Sequence, residues 1–194
     1  MAPSKLDLYA EHRDEYVASR EPSLVDVGPA RYLAIKGHGK AGGPEFADAV
    51  AALYNVSFTI KMASKAAGSD YAVSKLEGLW WKEGRSVEWT WQLLIRVPEF
   101  ITNKHLAEAV AKLLERGKDE AVSRVTLETL DEGKCVQMLH VGPYTAEKPT
   151  IAKMRAFATQ HGLSFKGRHH EIYLSDPRRV EAEKLRTILR QPVG

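Results

Sequence analysis

The chain repeats itself, weakly in identity but consistently in layout, and this repeat restricts the fold more than any single motif. Arg31-Tyr-Leu-Ala-Ile-Lys-Gly37, followed by Gly43-Pro44-Glu45-Phe46-Ala47, lines up with Val136-Gln-Met-Leu-His-Val-Gly142, followed by Lys148-Pro149-Thr150-Ile151-Ala152. Gly37 falls on Gly142, Pro44 on Pro149, Phe46 on Ile151 and Ala47 on Ala152, all at one gapless offset. Each half therefore reads as a strand, a glycine turn and a proline-led helix, because proline in a first helical turn forfeits no hydrogen bond. Leu94-Ile95-Arg96-Val97-Pro98 echoes Ile188-Leu189-Arg190-Gln191-Pro192 at a shorter offset. The first half thus carries an insertion, placed around Lys61 to Asp70, where glycine, serine and aspartate replace the apolar pattern.

Apolar spacing at steps of three or four predicts helices through Phe46, Val50 and Leu53, through Leu106, Val110, Leu113 and Leu114, and through Ile151, Met154 and Ala158. Gly117 and Gly162 are the expected stops. β-Branched and aromatic runs predict strands over Leu24 to Val27, Tyr32 to Ile35, Tyr71 to Trp81, Val87 to Val97, Val125 to Leu130, Cys135 to Val141, Arg168 to Leu174 and Lys184 to Arg190. Gly28-Pro29 and Asp131-Glu132-Gly133-Lys134 read as matching hairpin turns. The expected fold class is α+β: one domain over residues 1–194 built from two halves, each reading strand, strand, helix, strand, strand, with antiparallel sheets. The first half spans about 20–100, a connector helix about 103–118 and the second half about 123–193. Pseudo-twofold packing of the halves would leave a central ligand cleft.

Composition narrows the function classes. With 44% hydrophobic and 27% charged residues the chain suits an ordinary globular core. Its single cysteine, Cys135, has no disulfide or CxxC partner and reads as a small buried apolar residue. The opening residues Met1 to Tyr9 lack the apolar core of a secretory leader, and no stretch is long enough to span a membrane, so a cytoplasmic address is expected. Net charge is +3, dispersed along the chain, and no basic stripe or DNA-reading motif accompanies it, so no nucleic-acid partner is expected.

All four tryptophans fall in Trp80-Trp81 and Trp89-Thr90-Trp91, read as two arms of one hairpin. Strand alternation sends Trp80 and Trp81 to opposite faces and puts Trp89 and Trp91 on the same one, so at least one indole should line a cleft or lie exposed. Glu77 and Glu171 correspond to each other in the repeat. Each has apolar strand neighbours that would raise its pKa and ready it to meet a cation or act as a base, the alternative being an ordinary solvent-facing strand glutamate. Tyr173 shares the face of Glu171. His169 and His170 face opposite ways and no third ligand lies at usable spacing, so neither a metal site nor a cofactor is expected. Nucleophile-elbow, phosphate-loop and dinucleotide motifs are absent, and the glycine-rich Gly37 to Pro44 segment reads as a connector.

Five segments, Lys5 to Tyr9, Leu53 to Met62, Leu76 to Trp81, His169 to Arg178 and Glu183 to Val193, resemble the stand-alone GyrI-like small-molecule-binding proteins over nearly the whole chain. The last two segments are the specific ones. The resemblance implies the duplicated βαββ-type fold with its central cleft and a flat, hydrophobic or cationic xenobiotic ligand. It also brings Phe58, Met62 and His169 into the ligand-binding set beside Trp80, Trp81, Trp89, Trp91 and Glu77. In a subgroup it implies hydrolysis of cyclopropane-bearing DNA-alkylating compounds, with Glu171 activating water and Tyr173 steadying the developing phenolate. The alternatives are a non-catalytic sequestering module and a protein inhibitor of the topoisomerase-binding kind.

Overall fold

The computed structural model describes residues 5–194; Met1–Ser4, part of the stretch read for a leader, lie outside it. In chain order the elements are α1 (Leu8–Glu11), α2 (Arg13–Tyr16), β1 (Ser23–Val27), β2 (Ala30–His38), α3 (Pro44–Ala66), β3 (Leu76–Trp81), β4 (Thr90–Arg96), α4 (Asn103–Glu115), β5 (Thr126–Leu130), β6 (Gly133–Val141), α5 (Lys148–Gln160), β7 (His169–Tyr173) and β8 (Arg186–Pro192). β1 with β6, β2 with β4 and β5, β3 with β7, and β8 with β6 and β7 all pair antiparallel, so the class is α+β as expected. Among the described residues no helix is long and apolar enough to cross a membrane.

The chain divides into two compact units. Of the described residues, the first comprises those up to Glu11, Ala30–Leu76 and Trp81–Leu130. In it β2 is central, pairing with β4 from Tyr32↔Arg96 to His38↔Thr90 and with β5 from Ala30↔Leu130 to Ala34↔Thr126. α3 packs on β2 and β4 and buries Leu53, Val56 and Ile60, while Leu33, Ile35, Leu93 and Ile95 are buried on the strands. Each such side chain contributes roughly 1.5–3 kcal/mol on removal from water. The helix continues unbroken through Ala66, so much of the segment read as an insertion lengthens it, Lys61 pairing with Asp70 at 3.1 Å just beyond its end.

The second unit comprises His12–Pro29, Glu77–Trp80 and Asp131–Gly194. Its strands run β1, β6, β8, β7, β3, with registers Val25↔Cys135, Met138↔Leu189, Ile172↔Ile188 and Gly78↔Glu171. α5 lays Met154 and Ala158 against Val136, Met138, Leu189 and Val193. Gly117 and Gly162 follow α4 and α5 at φ 69° and 72°, the left-handed conformation of a helix stop.

Four sequence expectations differ from the fold. Gly28-Pro29 and Asp131 to Lys134 do not close hairpins, since β1 pairs with β6 and β2 with β5. Alternation reveals which face a residue takes but not which strand lies alongside, and that choice is made by long-range packing. Tyr71 is not part of β3 but makes an isolated bridge to Leu6, and β8 begins at Arg186 after a short turn of 3₁₀ helix. Trp89 precedes β4, so alternation does not bind it to the face of Trp91.

Candidate functional site

Strand alternation sorts β7 into two chemically different faces. His170 and Ile172 are fully buried on one, while His169, Glu171 and Tyr173 share the other. Cross-strand partners occupy the same face, so the register Gly78↔Glu171 and Trp80↔His169 brings Trp80 to Glu171 and Tyr173. The Tyr173 hydroxyl donates to Glu171 Oε2 at 2.8 Å, and the Trp80 indole N–H donates to that hydroxyl at 3.1 Å. Tyr144 packs edge-on to Tyr173, with ring centroids 5.7 Å apart. Gly78 makes this possible, because a Cβ there would meet the Tyr173 hydroxyl at 2.9 Å.

Glu147, at the foot of α5, completes the cluster. It is 7% exposed, and its carboxyl hydrogen-bonds that of Glu171. Burial, then repulsion between the two carboxyls, raises Glu147 far above the ordinary carboxylate range. Glu171 is raised by burial and partly restrained by its bonds to Tyr173 and Glu147 and by the charge of His170. Two carboxyls so placed titrate as a pair holding one proton between them near neutrality. His169 Nε2 approaches Glu171 Oε1 to 3.7 Å, too far for a hydrogen bond. Burial, then the neighbouring His170 charge, lowers His169 to about 4 and keeps it neutral. Donor atoms of Glu147, His169 and Glu171 all lie within 4.8 Å of one another.

Behind β7 lies a separate ionic network. His170 is bound by Glu132 at 3.0 Å and contacts Glu77 at 3.0 Å, off line for a hydrogen bond; Glu132 also accepts from Arg190 at 3.1 Å. Tyr16 donates to Glu77 at 3.1 Å, and Arg190 reaches the Glu15 carbonyl. Burial would discharge His170, but Glu132 and then Glu77 outweigh it and raise the imidazole to about 9. Burial likewise opposes the Glu132 charge, which His170 and Arg190 hold down to about 2. Glu77, expected to meet ligand, is instead fully buried on this face, because its register with Ile172 turns it away from Glu171.

The remaining predicted ligand-binding residues belong to the first unit. Trp91 is a fully buried core residue, edge-on to Phe46 at 5.3 Å. Trp81 lies under the Lys36 ammonium at 5.3 Å, and Trp89 is 46% exposed beneath that of Lys82 at 5.2 Å. On α3, Phe58 stacks with Tyr54 at 6.2 Å, and Phe58 and Met62 are both more than half exposed. Glu147, Tyr144 and Gly78 are the site residues that sequence reasoning missed. The available signal was the repeat, which set a helix start at Pro149 and so put Glu147 at a helix foot.

A model of the GyrI-like small molecule binding domain matches residues 20–193. The crystal structure of an uncharacterized conserved protein from Listeria innocua is 38% identical to the chain, with a TM-score of 0.93 over 98% of this chain and 100% of that one. That of a hydrolase from Listeria innocua is also 38% identical, with a TM-score of 0.90 over the same shares. The C-terminal domain of EcmrR, 11% identical with a TM-score of 0.59 over 90% of this chain and 97% of that one, shares the fold alone. No curated protein matches the sequence.

Proposed function

Since the chain belongs to the family of GyrI-like small-molecule-binding domains, we propose that it takes flat hydrophobic or cationic aromatic xenobiotics and hydrolyses those bearing a strained cyclopropane. The substrates would be DNA-alkylating compounds of the cyclopropylpyrroloindole type, and the benefit self-protection. The observation that carries the reading is the Trp80–Tyr173–Glu171 relay, a buried carboxylate held by a phenol that an indole holds in turn. A structural relative at 38% identity is a hydrolase.

The chemistry follows from these groups. A carboxyl raised toward neutrality is a more effective general base than an ordinary one. Glu171 takes a proton from water as the oxygen bonds to the ring methylene. The ring carbon–carbon bond breaks, and its electron pair passes through the conjugated system to become a phenolate. Once protonated, Glu171 no longer needs the Tyr173 hydrogen bond, and that hydroxyl is free to donate to the phenolate. Glu147 keeps its own proton and holds the Glu171 carboxyl in place. Trp80 and Tyr144 supply stacking surface at the relay.

Glu171→Gln tests the assignment directly. Turnover of a cyclopropylpyrroloindole, read by mass spectrometry as a product one water heavier, is expected to fall by roughly 10²–10⁴-fold. Ligand binding, read by tryptophan quenching, is expected to persist. Wild-type turnover in this variant would remove Glu171 from the role of base. A second reading draws on the same paired carboxyls. An organic cation could replace their shared proton and stack on Trp80 and the tyrosines without reacting. Stoichiometric saturation with ligand recovered unchanged would select that reading.

A further inference from the structure

We propose that Glu147, His169 and Glu171 form a binding site for one divalent transition-metal ion of the zinc type. Three acceptor groups converge there from three places in the sequence: the foot of α5 and two same-face positions of β7. Glu147 Oε1 and His169 Nε2 are both buried, and neither has a hydrogen-bond partner. A metal ion bound there would take the place of the proton that the two carboxyls share and would give both of these atoms a partner.

The geometry suits such an ion. Ligands at about 2.0–2.2 Å from a tetrahedral metal stand roughly 3.3–3.6 Å apart, and His169 Nε2 to Glu171 Oε1 is 3.7 Å. One imidazole nitrogen with two carboxylates favours zinc-type ions over calcium or magnesium, which prefer oxygen throughout. Supporting contacts of the usual kind are also in place. His169 hydrogen-bonds the Gln191 side chain, whose amide nitrogen is pinned by the Lys166 carbonyl at 2.5 Å. Since Nε2 is the unpartnered nitrogen, that bond uses Nδ1 and leaves Nε2 directed at the cluster. Tyr173 occupies Glu171 Oε2, which leaves Oε1 toward His169. Three protein ligands leave a fourth position open to water or ligand. Spacing around His169-His170 offers no third ligand, but Glu147, distant along the chain, is brought beside His169 and Glu171 by the fold.

This inference does not rest on the hydrolytic reading, and its test reads binding rather than turnover. The chelator-treated full chain is titrated with zinc chloride by calorimetry and with cobalt(II) by visible absorption. The expected result is one saturable site per chain, with the intense visible bands of four-coordinate cobalt. Affinity should weaken tenfold or more in both Glu147→Gln and His169→Gln, and stay unchanged in His38→Gln, which alters an exposed histidine. Melting curves show which variants are folded, and either folded variant suffices for the comparison. No saturable binding by the wild-type chain, or binding unchanged in the folded variants, overturns the proposal.

Discussion

At Gly78 a single hydrogen atom separates an assembled site from a displaced one. A methyl group there would stand 2.9 Å from the Tyr173 hydroxyl and 3.0 Å from the Trp80 indole nitrogen, so one of them must move. Gly78→Ala is expected to leave melting close to wild type while lowering turnover by about 10²-fold, the usual consequence of a misplaced catalytic group. Undiminished turnover would show that Tyr173 yields without consequence. Tyr173→Phe deletes the hydroxyl without moving the ring. It should cost about 10²–10³-fold in turnover if that hydroxyl steadies the phenolate, and little if the tyrosine only packs. At this scale the sequence was half legible. Period-two alternation put Glu171, Tyr173 and His169 on one face, but it could not show that Glu77 belongs to the other, because that depends on the register of β3 against β7.

Among the elements, β6, β7 and β8 are joined behind the site by charge as well as by backbone hydrogen bonds. Glu132 holds both His170 and Arg190, and Arg190 reaches the carbonyl of Glu15 in α2. Glu132→Gln would leave two buried cations short of a counter-charge. A loss of about 3–5 kcal/mol is expected in urea unfolding. A loss below 1 kcal/mol would mean that Glu77 alone suffices. On α5, Met154→Ala opens a gap against Val136 and Leu189 and should cost about 2–5 kcal/mol. The helices were readable because their apolar spacing is a local property. The hairpins were misread because neither Gly28-Pro29 nor Asp131 to Lys134 carries information about the partner strand.

For the molecule as a whole, the buried titratable groups define a pH window of stability. Glu147 and Glu171 hold protons in the fold that the unfolded chain releases above about 4.5, so stability falls as pH rises beyond that value. His170, raised to about 9, acts in the same sense: its contribution is complete below its unfolded value near 6.5 and is lost as pH passes 9. On the acid side Glu132 contributes above about 4.5 and loses its contribution as pH falls toward 2. His169, preferring its neutral form, costs stability as pH drops from 6.5 through 4. The melting temperature of Glu147→Gln is therefore expected to decline less steeply than that of wild type between pH 5 and 9. Equal slopes would show that the paired carboxyls do not share a proton.

The duplication, the kinds of element and their rough limits, and the pairing of Glu171 with Tyr173 follow from the sequence by itself, because helical and strand periods are written in residues a few positions apart. The tertiary structure alone decided which strands adjoin, that Glu77 faces a buried histidine, and that Glu147 meets Glu171 and His169. Those outcomes depend on β1 pairing with β6, on the register of β3 with β7, and on where α5 begins over the sheet. Each is settled by burying apolar surface between segments far apart along the chain, a balance that no local pattern encodes.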